Sequence, residues 1–104
     1  MVTVTTPDEA LAGELARALV EERLAACAQV GGPIESSYRW EGEVQLDREW
    51  LVTAKTVEGR VPELARRVQE LHPYDVPEVV AVPAMGGSEA YLEWVRAESR
   101  PASG

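Results

Sequence analysis

The spacing of apolar residues in the first quarter of the chain predicts a strand followed by an amphipathic helix. Residues 1–6 are mostly β-branched, which favours a strand. Thr6, Pro7 and Glu9 fit a capping box in which Thr6 caps the helix and Pro7 is its first residue. We expect this helix to run to about Ala26. Its apolar residues recur at helical spacing and form one face: Leu11, Leu15, Leu19, Val20 and Leu24.

A long β-hairpin is predicted in the middle of the chain. Strand-like sequence begins at Cys27, is broken at residues 31–33 (Gly-Gly-Pro) and resumes over residues 34–40. Residues 41–42 (Glu-Gly) suit a tight turn, and residues 44–56 form the return strand. A strand of about 13 residues reaches roughly 43 Å, which exceeds the width of a domain of this size. The tip must therefore protrude, and its exposed edges and aromatic residues favour pairing with another subunit.

The rest of the chain predicts a helix, a strand and a last helix. An apolar stripe at spacings of three and four marks the first of these helices, and His72 should end it because Pro73 disfavours helical geometry in the residue before it. Residues 78–83 are apolar after the first, which is typical of a central strand buried on both faces. Ser88 is predicted to cap the last helix, and residues 101–104 to form a frayed tail.

The predicted order is therefore β-α-β-β-α-β-α, an α+β arrangement of two strand–helix–strand halves followed by an extra helix. We find no linker, repeat or low-complexity segment in the sequence. We therefore expect a single domain over residues 1–104.

Composition narrows the function classes. The chain carries 18 acidic against 10 basic residues, a formal net charge of −8. This balance repels polyanions, so we expect no binding to nucleic acid or to anionic lipid, whereas divalent cations suit it better. No apolar run is long enough to span a membrane, no charged-then-apolar leader opens the sequence, and a single cysteine suits a reducing compartment. We therefore expect a cytoplasmic protein.

Cys27 and His72 are the candidate metal ligands, because thiolate and imidazole are preferred by copper and zinc. They are the single cysteine and the single histidine of the chain, and no C-x-x-C or H-x-x-x-H spacing accompanies them. A complete metal site within one chain is therefore not expected, but a site assembled between subunits stays open. Cys27 also suits simple packing at a helix end, and His72 a structural hydrogen bond. Without a G-x-S-x-G motif we expect no enzyme activity.

Lys55 stands inside an otherwise apolar strand. A buried ammonium group needs a carboxylate partner or an anionic ligand, and Glu78 is the candidate partner. Two interpretations stay open for Lys55, a structural salt bridge and a role in ligand binding.

Four blocks of the sequence carry a family resemblance: residues 24–27 (LAAC), 37–42 (SYRWEG), 55–56 (KT) and 72–78 (HPYDVPE). In order and spacing they resemble the signature blocks of the CutA family of divalent-cation tolerance proteins. The resemblance implies a ferredoxin-like βαββαβ fold with an antiparallel sheet, assembled as a homotrimer similar to PII signalling proteins. It also implies a role in tolerance of divalent cations, copper especially, and no catalytic reaction.

The resemblance leaves the metal ligands incomplete. Some bacterial relatives hold copper with a first-strand cysteine and adjacent histidines before the Pro-Tyr motif. The matching positions here are Val4, Leu71 and His72, so only His72 carries over.

Two functional hypotheses follow. The first is a homotrimeric protein that binds copper or another divalent cation. The alternative is a PII-like regulatory module that binds a small molecule or a partner protein in a cleft between subunits. The residues predicted to line that cleft are Lys55, Tyr74, Glu78, Trp40 and Tyr38.

Overall fold

One four-stranded antiparallel sheet carries the fold, and from one edge to the other its strands are Cys27–Trp40, Glu43–Lys55, Val2–Thr6 and Val79–Ala81. The computed structural model describes residues 1–101, so residues 102–104 of the predicted tail lie outside the described part of the chain. The α+β class, the antiparallel sheet and the element order predicted from the sequence are confirmed. The strands are β1 (Val2–Thr6), β2 (Cys27–Trp40), β3 (Glu43–Lys55) and β4 (Val79–Ala81), and the helices are α1 (Glu9–Glu21), α2 (Val61–Leu71) and α3 (Glu89–Glu98).

The core lies between one face of the sheet and helices α1 and α2. Alternate residues of the inner strands point to this face because strand side chains alternate. They meet the apolar stripes of both helices in one fully buried cluster, which includes Val2, Val4, Val52, Ala54, Leu15, Leu19, Leu64 and Val68. The intervening residues of β1 and β3, among them Thr3, Thr5, Leu51, Thr53 and Lys55, point to the opposite side of the sheet, which we call the open face.

The start of α1 differs from the predicted capping box. Asp8, and not Thr6, is the N-cap, because its carboxylate accepts a 2.7 Å hydrogen bond from the backbone N–H of Leu11. Thr6 is still paired in β1, and its hydroxyl donates to the Asp8 carbonyl at 2.8 Å. Pro7 therefore precedes the helix instead of beginning it.

The end of α1 also falls earlier than the predicted Ala26. The helix ends at Glu21, and Arg23 adopts a left-handed conformation with φ 59°. The N–H groups of Arg23 and Leu24 then bond to the carbonyls of Val20 and Leu19, at 3.1 and 2.9 Å, as in a Schellman motif. Leu24 keeps the apolar pattern going beyond the helix because it packs into the core as part of this cap.

Arg23 joins three segments of the fold. Its guanidinium donates to the carbonyls of Arg100 and Ala97 at the end of α3, at 2.7 and 3.2 Å. Its own carbonyl accepts two hydrogen bonds from the Arg60 guanidinium, at 3.3 and 3.2 Å, just before α2. A single residue thus connects the ends of α1 and α3 with the start of α2.

Strand β2 is continuous, so the predicted break at residues 31–33 is wrong. The chain instead forms a β-bulge, in which Gly32 and Pro33 stand opposite a single residue of β3, Trp50. Because one residue is added, the alternation of side chains in β2 reverses beyond the bulge. Gly32 has φ +129°, and a Cβ there would lie 3.1 Å from the Trp50 ring and 3.2 Å from the Glu49 carbonyl oxygen.

The hairpin has the predicted turn and the predicted reach. Glu41 and Gly42 both have positive φ, 51° and 81°, as a two-residue type I′ turn requires. The longest dimension of the molecule is 44 Å, and its radius of gyration of 14.3 Å exceeds the roughly 13 Å of a rounded chain of this size. The hairpin tip therefore extends beyond the helices.

Strand β4 is a three-residue edge strand, so the predicted central strand buried on both faces is wrong. In the described part of the chain it pairs with residues Val2–Val4 of β1 and with no other strand. Val79 packs against the core, but Val80 is half exposed on the open face. A continuous apolar run therefore does not by itself indicate a central strand. The other helix boundaries agree better with the sequence, since His72 is the C-cap of α2 and the Ser88 hydroxyl caps α3.

We expect Gly32→Ala to destabilise the protein and Gly31→Ala to leave it nearly unchanged. The first substitution combines a positive φ with contacts tighter than normal, which should cost about 1–3 kcal/mol. A Cβ at Gly31 meets no atom within 4 Å, so its effect should stay within about 0.5 kcal/mol. Urea unfolding of both variants measures the difference, and equal losses would contradict the role given to Gly32.

Candidate functional site

A cleft of about 720 Å³ lies where the open face of the sheet meets the segment after α2. Thr5 at the end of β1 and Glu49 of β3 line it from the sheet, and residues 73–78 form the other side. The hairpin contributes Ser36, Ser37, Tyr38 and Trp40. Its volume falls within the range of small-molecule sites.

The bulge in β2 is what brings aromatic residues to this cleft. Before the bulge, Cys27 and Gln29 pair with residues on the open face of β3. Beyond it, Tyr38 and Trp40 share that face, because the added residue reverses the alternation. Without the bulge these two rings would point to the other side of the sheet.

Tyr38 is fixed by a carboxylate of the neighbouring strand. Its hydroxyl donates to the Asp47 carboxylate on β3. This hydrogen bond to Asp47, together with desolvation and the charges of Asp47 and Glu49, raises the pKa of Tyr38 to about 12. The phenol therefore stays neutral at physiological pH and holds its ring beside Glu49.

His72 positions the other wall of the cleft. Its ring is buried, and Nε2 lies 2.8 Å from the carbonyl oxygen of Thr5. Thr5 follows Val4, the last residue of β1 that pairs with β4. The backbone N–H of Tyr74 donates to Nδ1 at 3.2 Å, which leaves Nε2–H to donate to Thr5 in the neutral imidazole. The rings of His72 and Tyr74 are 4.7 Å apart, so Tyr74 is held against His72 and faces the cleft. Burial first, then the charge of Glu49, raises the pKa of Tyr74.

The structure therefore brings four of the five predicted cleft residues together, namely Tyr38, Trp40, Tyr74 and Glu78, within one chain. Lys55 lies elsewhere, about 20 Å from Glu49 along β3 at roughly 3.3 Å per residue. Its ammonium donates to the Gln29 side chain, and among the ion pairs of residues 1–101 none involves Lys55. The predicted Lys55–Glu78 salt bridge is therefore absent from the described residues.

The two predicted metal ligands lie apart. Cys27 lies opposite Lys55 of β3. His72 bonds to the carbonyl of Thr5, which lies opposite Leu51 of β3. Lys55 and Leu51 are about 13 Å apart along β3, so the two predicted ligands are separated by at least that distance along the sheet. The Cys27 sulfur is 3.3 Å from the Tyr91 hydroxyl, a contact that raises the pKa of Tyr91. Within residues 1–101, no three His, Cys, Asp or Glu side chains come together in an arrangement that could hold a metal ion.

Sequence reasoning missed Glu49, which is only 7% exposed although it lines the cleft. The sequence does indicate the face on which Glu49 lies. Side chains of β3 alternate between the two faces of the sheet, and Glu49 directly precedes Trp50, which faces the core. The sequence did not show that residues 73–78 close over this position.

Comparison with known proteins identifies the family. A family model described as "CutA1 divalent ion tolerance protein" matches residues 1–98. The chain belongs to the CutA1 family. It is 49% identical over 96 residues to "Divalent-cation tolerance protein CutA" of Thermus thermophilus, covering 92% of this chain and 93% of that protein. A solved structure of the divalent cation tolerance protein Cut A1 from the same species superposes with a TM-score of 0.93 at 47% identity, covering 95% of this chain and 96% of that one.

CutA1 relatives differ in length. Human "Protein CutA" is 47% identical over 93 residues, which are 89% of this chain but 52% of the human protein. This chain thus spans about half of the human relative. Across residues 1–101, none of the helices has the length and apolar character needed to cross a bilayer.

We expect Asp47→Asn to lower the pKa of Tyr38 from about 12 toward its ordinary 10.0. The amide keeps the shape of the carboxylate but removes the charge that disfavours the phenolate. Because the native pKa is raised, the interaction contributes stability that is complete below pH 10.0 and is lost as the pH rises through about 12. Ultraviolet titration of tyrosinate, with Tyr38→Phe to assign the signal, measures the shift. The control Asp75→Asn should leave the Tyr38 pKa near 12, and an equal effect of both variants would contradict the assignment.

Proposed function

We propose that this protein serves in tolerance of divalent cations as a homotrimer that binds copper or another divalent cation directly. The observation that carries the proposal is the match of the CutA1 divalent ion tolerance family to residues 1–98. The net charge of −8 favours cations over anions near the surface. A single cysteine suits a reducing compartment, and we propose the cytoplasm as the location.

His72 and Cys27 remain the proposed metal contacts. Metal binding at either residue requires a change in the contacts that the single chain makes. Nδ1 of His72 accepts from the Tyr74 N–H, so a metal ion at Nδ1 must displace that hydrogen bond. Such a change would move Tyr74 and with it one wall of the cleft. Because Cys27 lies about 13 Å away along the sheet, a site using both residues has to draw them from different subunits.

Calorimetric titration of the metal-free protein with copper and with zinc, under anaerobic conditions, tests this proposal. We expect saturable binding that His72→Ala or Cys27→Ser weakens at least about tenfold, because each variant removes one ligand. The surface variant Glu14→Gln, which removes one negative charge away from both residues, should leave the affinity unchanged. Heats unaffected by both ligand substitutions would leave only diffuse binding to acidic side chains and overturn the assignment.

The homotrimer is proposed from the hairpin. Near its tip the apolar side chains of Val44 and Leu46 are 68% and 61% exposed, and Trp40 is 51% exposed. Exposed apolar side chains on a protruding ribbon favour contact with another copy of the chain.

Light scattering should therefore return about three times the 11.4 kDa mass of the chain. The variant Val44→Asp, which places a charge among the apolar residues of the tip, should shift the mass toward that of one chain. Glu43→Gln, at the neighbouring position, serves as the control and should keep the larger mass. A mass of one chain for the wild-type protein would contradict the homotrimer proposal.

The cleft favours a second candidate function, a PII-like module that binds a small molecule or a partner protein. Its support is the convergence of Tyr38, Trp40, Tyr74 and Glu78 around about 720 Å³ of space beside the buried Glu49. A thermal-shift screen separates the two candidates, because a ligand that binds the native state raises the melting temperature. Stabilisation by a small molecule and none by metal ions would favour this second function.

A further inference from the structure

Arg23 stands at a position that favours glycine. It follows the C-cap of α1 and has a left-handed backbone conformation with φ 59°. A residue with a Cβ is strained in this conformation, and helices that end in this way most often carry glycine there. Strain of this kind persists where the surrounding structure compensates for it. The strain at Arg23 is therefore offset by contacts that a glycine could not make.

The side chain of Arg23 holds the end of α3. Its Nε–H donates to the carbonyl of Arg100 at 2.7 Å and its Nη2–H to the carbonyl of Ala97 at 3.2 Å. Nη1 also lies 3.7 Å from the carboxylate of Glu98. The last carbonyls of a helix lack partners within the helix, and a positive charge beside them is favourable. Arg23 thus caps α3 from the end of α1.

The rest of α3 is weakly attached. The helix lies wholly within the described chain, and Val95 is its one buried residue. Tyr91 and Trp94 are 42% and 43% exposed. The first turn touches the sheet where the Tyr91 hydroxyl lies 3.3 Å from the sulfur of Cys27, and thiols form only weak hydrogen bonds. Ser99, just after the helix, is fully buried, yet its hydroxyl has no partner among residues 1–101, which opposes docking.

A hollow of about 480 Å³ lies between α3 and the segment that leads into α2. Leu92 and Val95 line it from α3, and Val57 and Val61 line it from the other side. Side chains that face a gap lose the dispersion contacts that close packing would give them. The apolar side of α3 therefore gains little from docking, and the polar contacts of Arg23 carry a large share of it.

We propose that α3 is a strap that opens and closes as a unit while the sheet and helices α1 and α2 stay folded, and that the Arg23 side chain is the latch that holds it closed. The bond between the Arg23 carbonyl and Arg60 survives opening, because it involves neither α3 nor the Arg23 side chain. Opening widens the hollow and exposes its apolar lining, including Val57 and Val61.

Hydrogen–deuterium exchange of the full chain in its assembled form tests the latch, by comparing peptides from α3 with peptides from β1 and β3. Arg23→Gln removes the guanidinium and keeps the strained backbone, whereas Arg23→Gly removes both. We expect the amides of α3 to exchange at least about tenfold faster in both variants than in the wild type, because two hydrogen bonds from a charged donor are lost. The amides of β1 and β3 should show no comparable increase.

Urea unfolding separates the latch from the strain. Arg23→Gly should be more stable than Arg23→Gln, because glycine suits φ 59° although both variants release α3. The control is Arg17→Gln, at an exposed position of α1, which makes the same change in net charge and should leave the exchange of α3 unchanged. Light scattering should return the wild-type mass for all three variants.

Four results would contradict the proposal. If α3 exchanges as slowly in both Arg23 variants as in the wild type, other contacts hold the helix and Arg23 is not a latch. Equal acceleration in β1 and β3 would mean that α3 and the core open together, and a changed mass would assign the effect to assembly. If neither Arg23 variant folds, the wild type decides. Its α3 amides should exchange at least about tenfold faster than those of β1 and β3, and equal protection would overturn the strap.

Discussion

The close approach of Gly32 to the neighbouring strand is the contact on which the candidate site depends. A Cβ at Gly32 would be crowded against Trp50 at a φ of +129°, so glycine is the residue that lets β2 carry one residue more than β3 without strain. The added residue turns Tyr38 and Trp40 to the open face of the sheet, where they meet Glu49 and the segment after α2. The β-bulge at Gly32 thus determines which side chains of the long hairpin line the cleft.

The cleft and the core make opposite demands on the same strand. The inward-facing residues of β3, such as Val52, stabilise the protein by burial, whereas Glu49 on the opposite face lines the cleft. The hydrogen bonds of Asp47 with Tyr38 and of His72 with Thr5 and Tyr74 fix the aromatic walls before any ligand arrives.

Much of the fold could be predicted from the sequence because it follows from local periodicity. The α2 stripe, the turn at Glu41 and Gly42, and the Ser88 cap depend on neighbours a few residues away. The errors arose where distant contacts decide the outcome. The apolar run ending at Pro83 could not reveal that, among the strands of residues 1–101, β4 has β1 as its single neighbour. Glu49 could not be chosen as a site residue without the bulge and the loop that closes over it.

The position of Arg23 in the chain sets an order in which the molecule can be completed. The sheet and helices α1 and α2 use residues up to Ala81, and no residue of α3 belongs to their buried cluster. The carbonyls that the Arg23 guanidinium holds belong to Ala97 and Arg100, which are synthesised later. The buried cluster is therefore complete without α3, so local opening of α3 would leave that cluster intact.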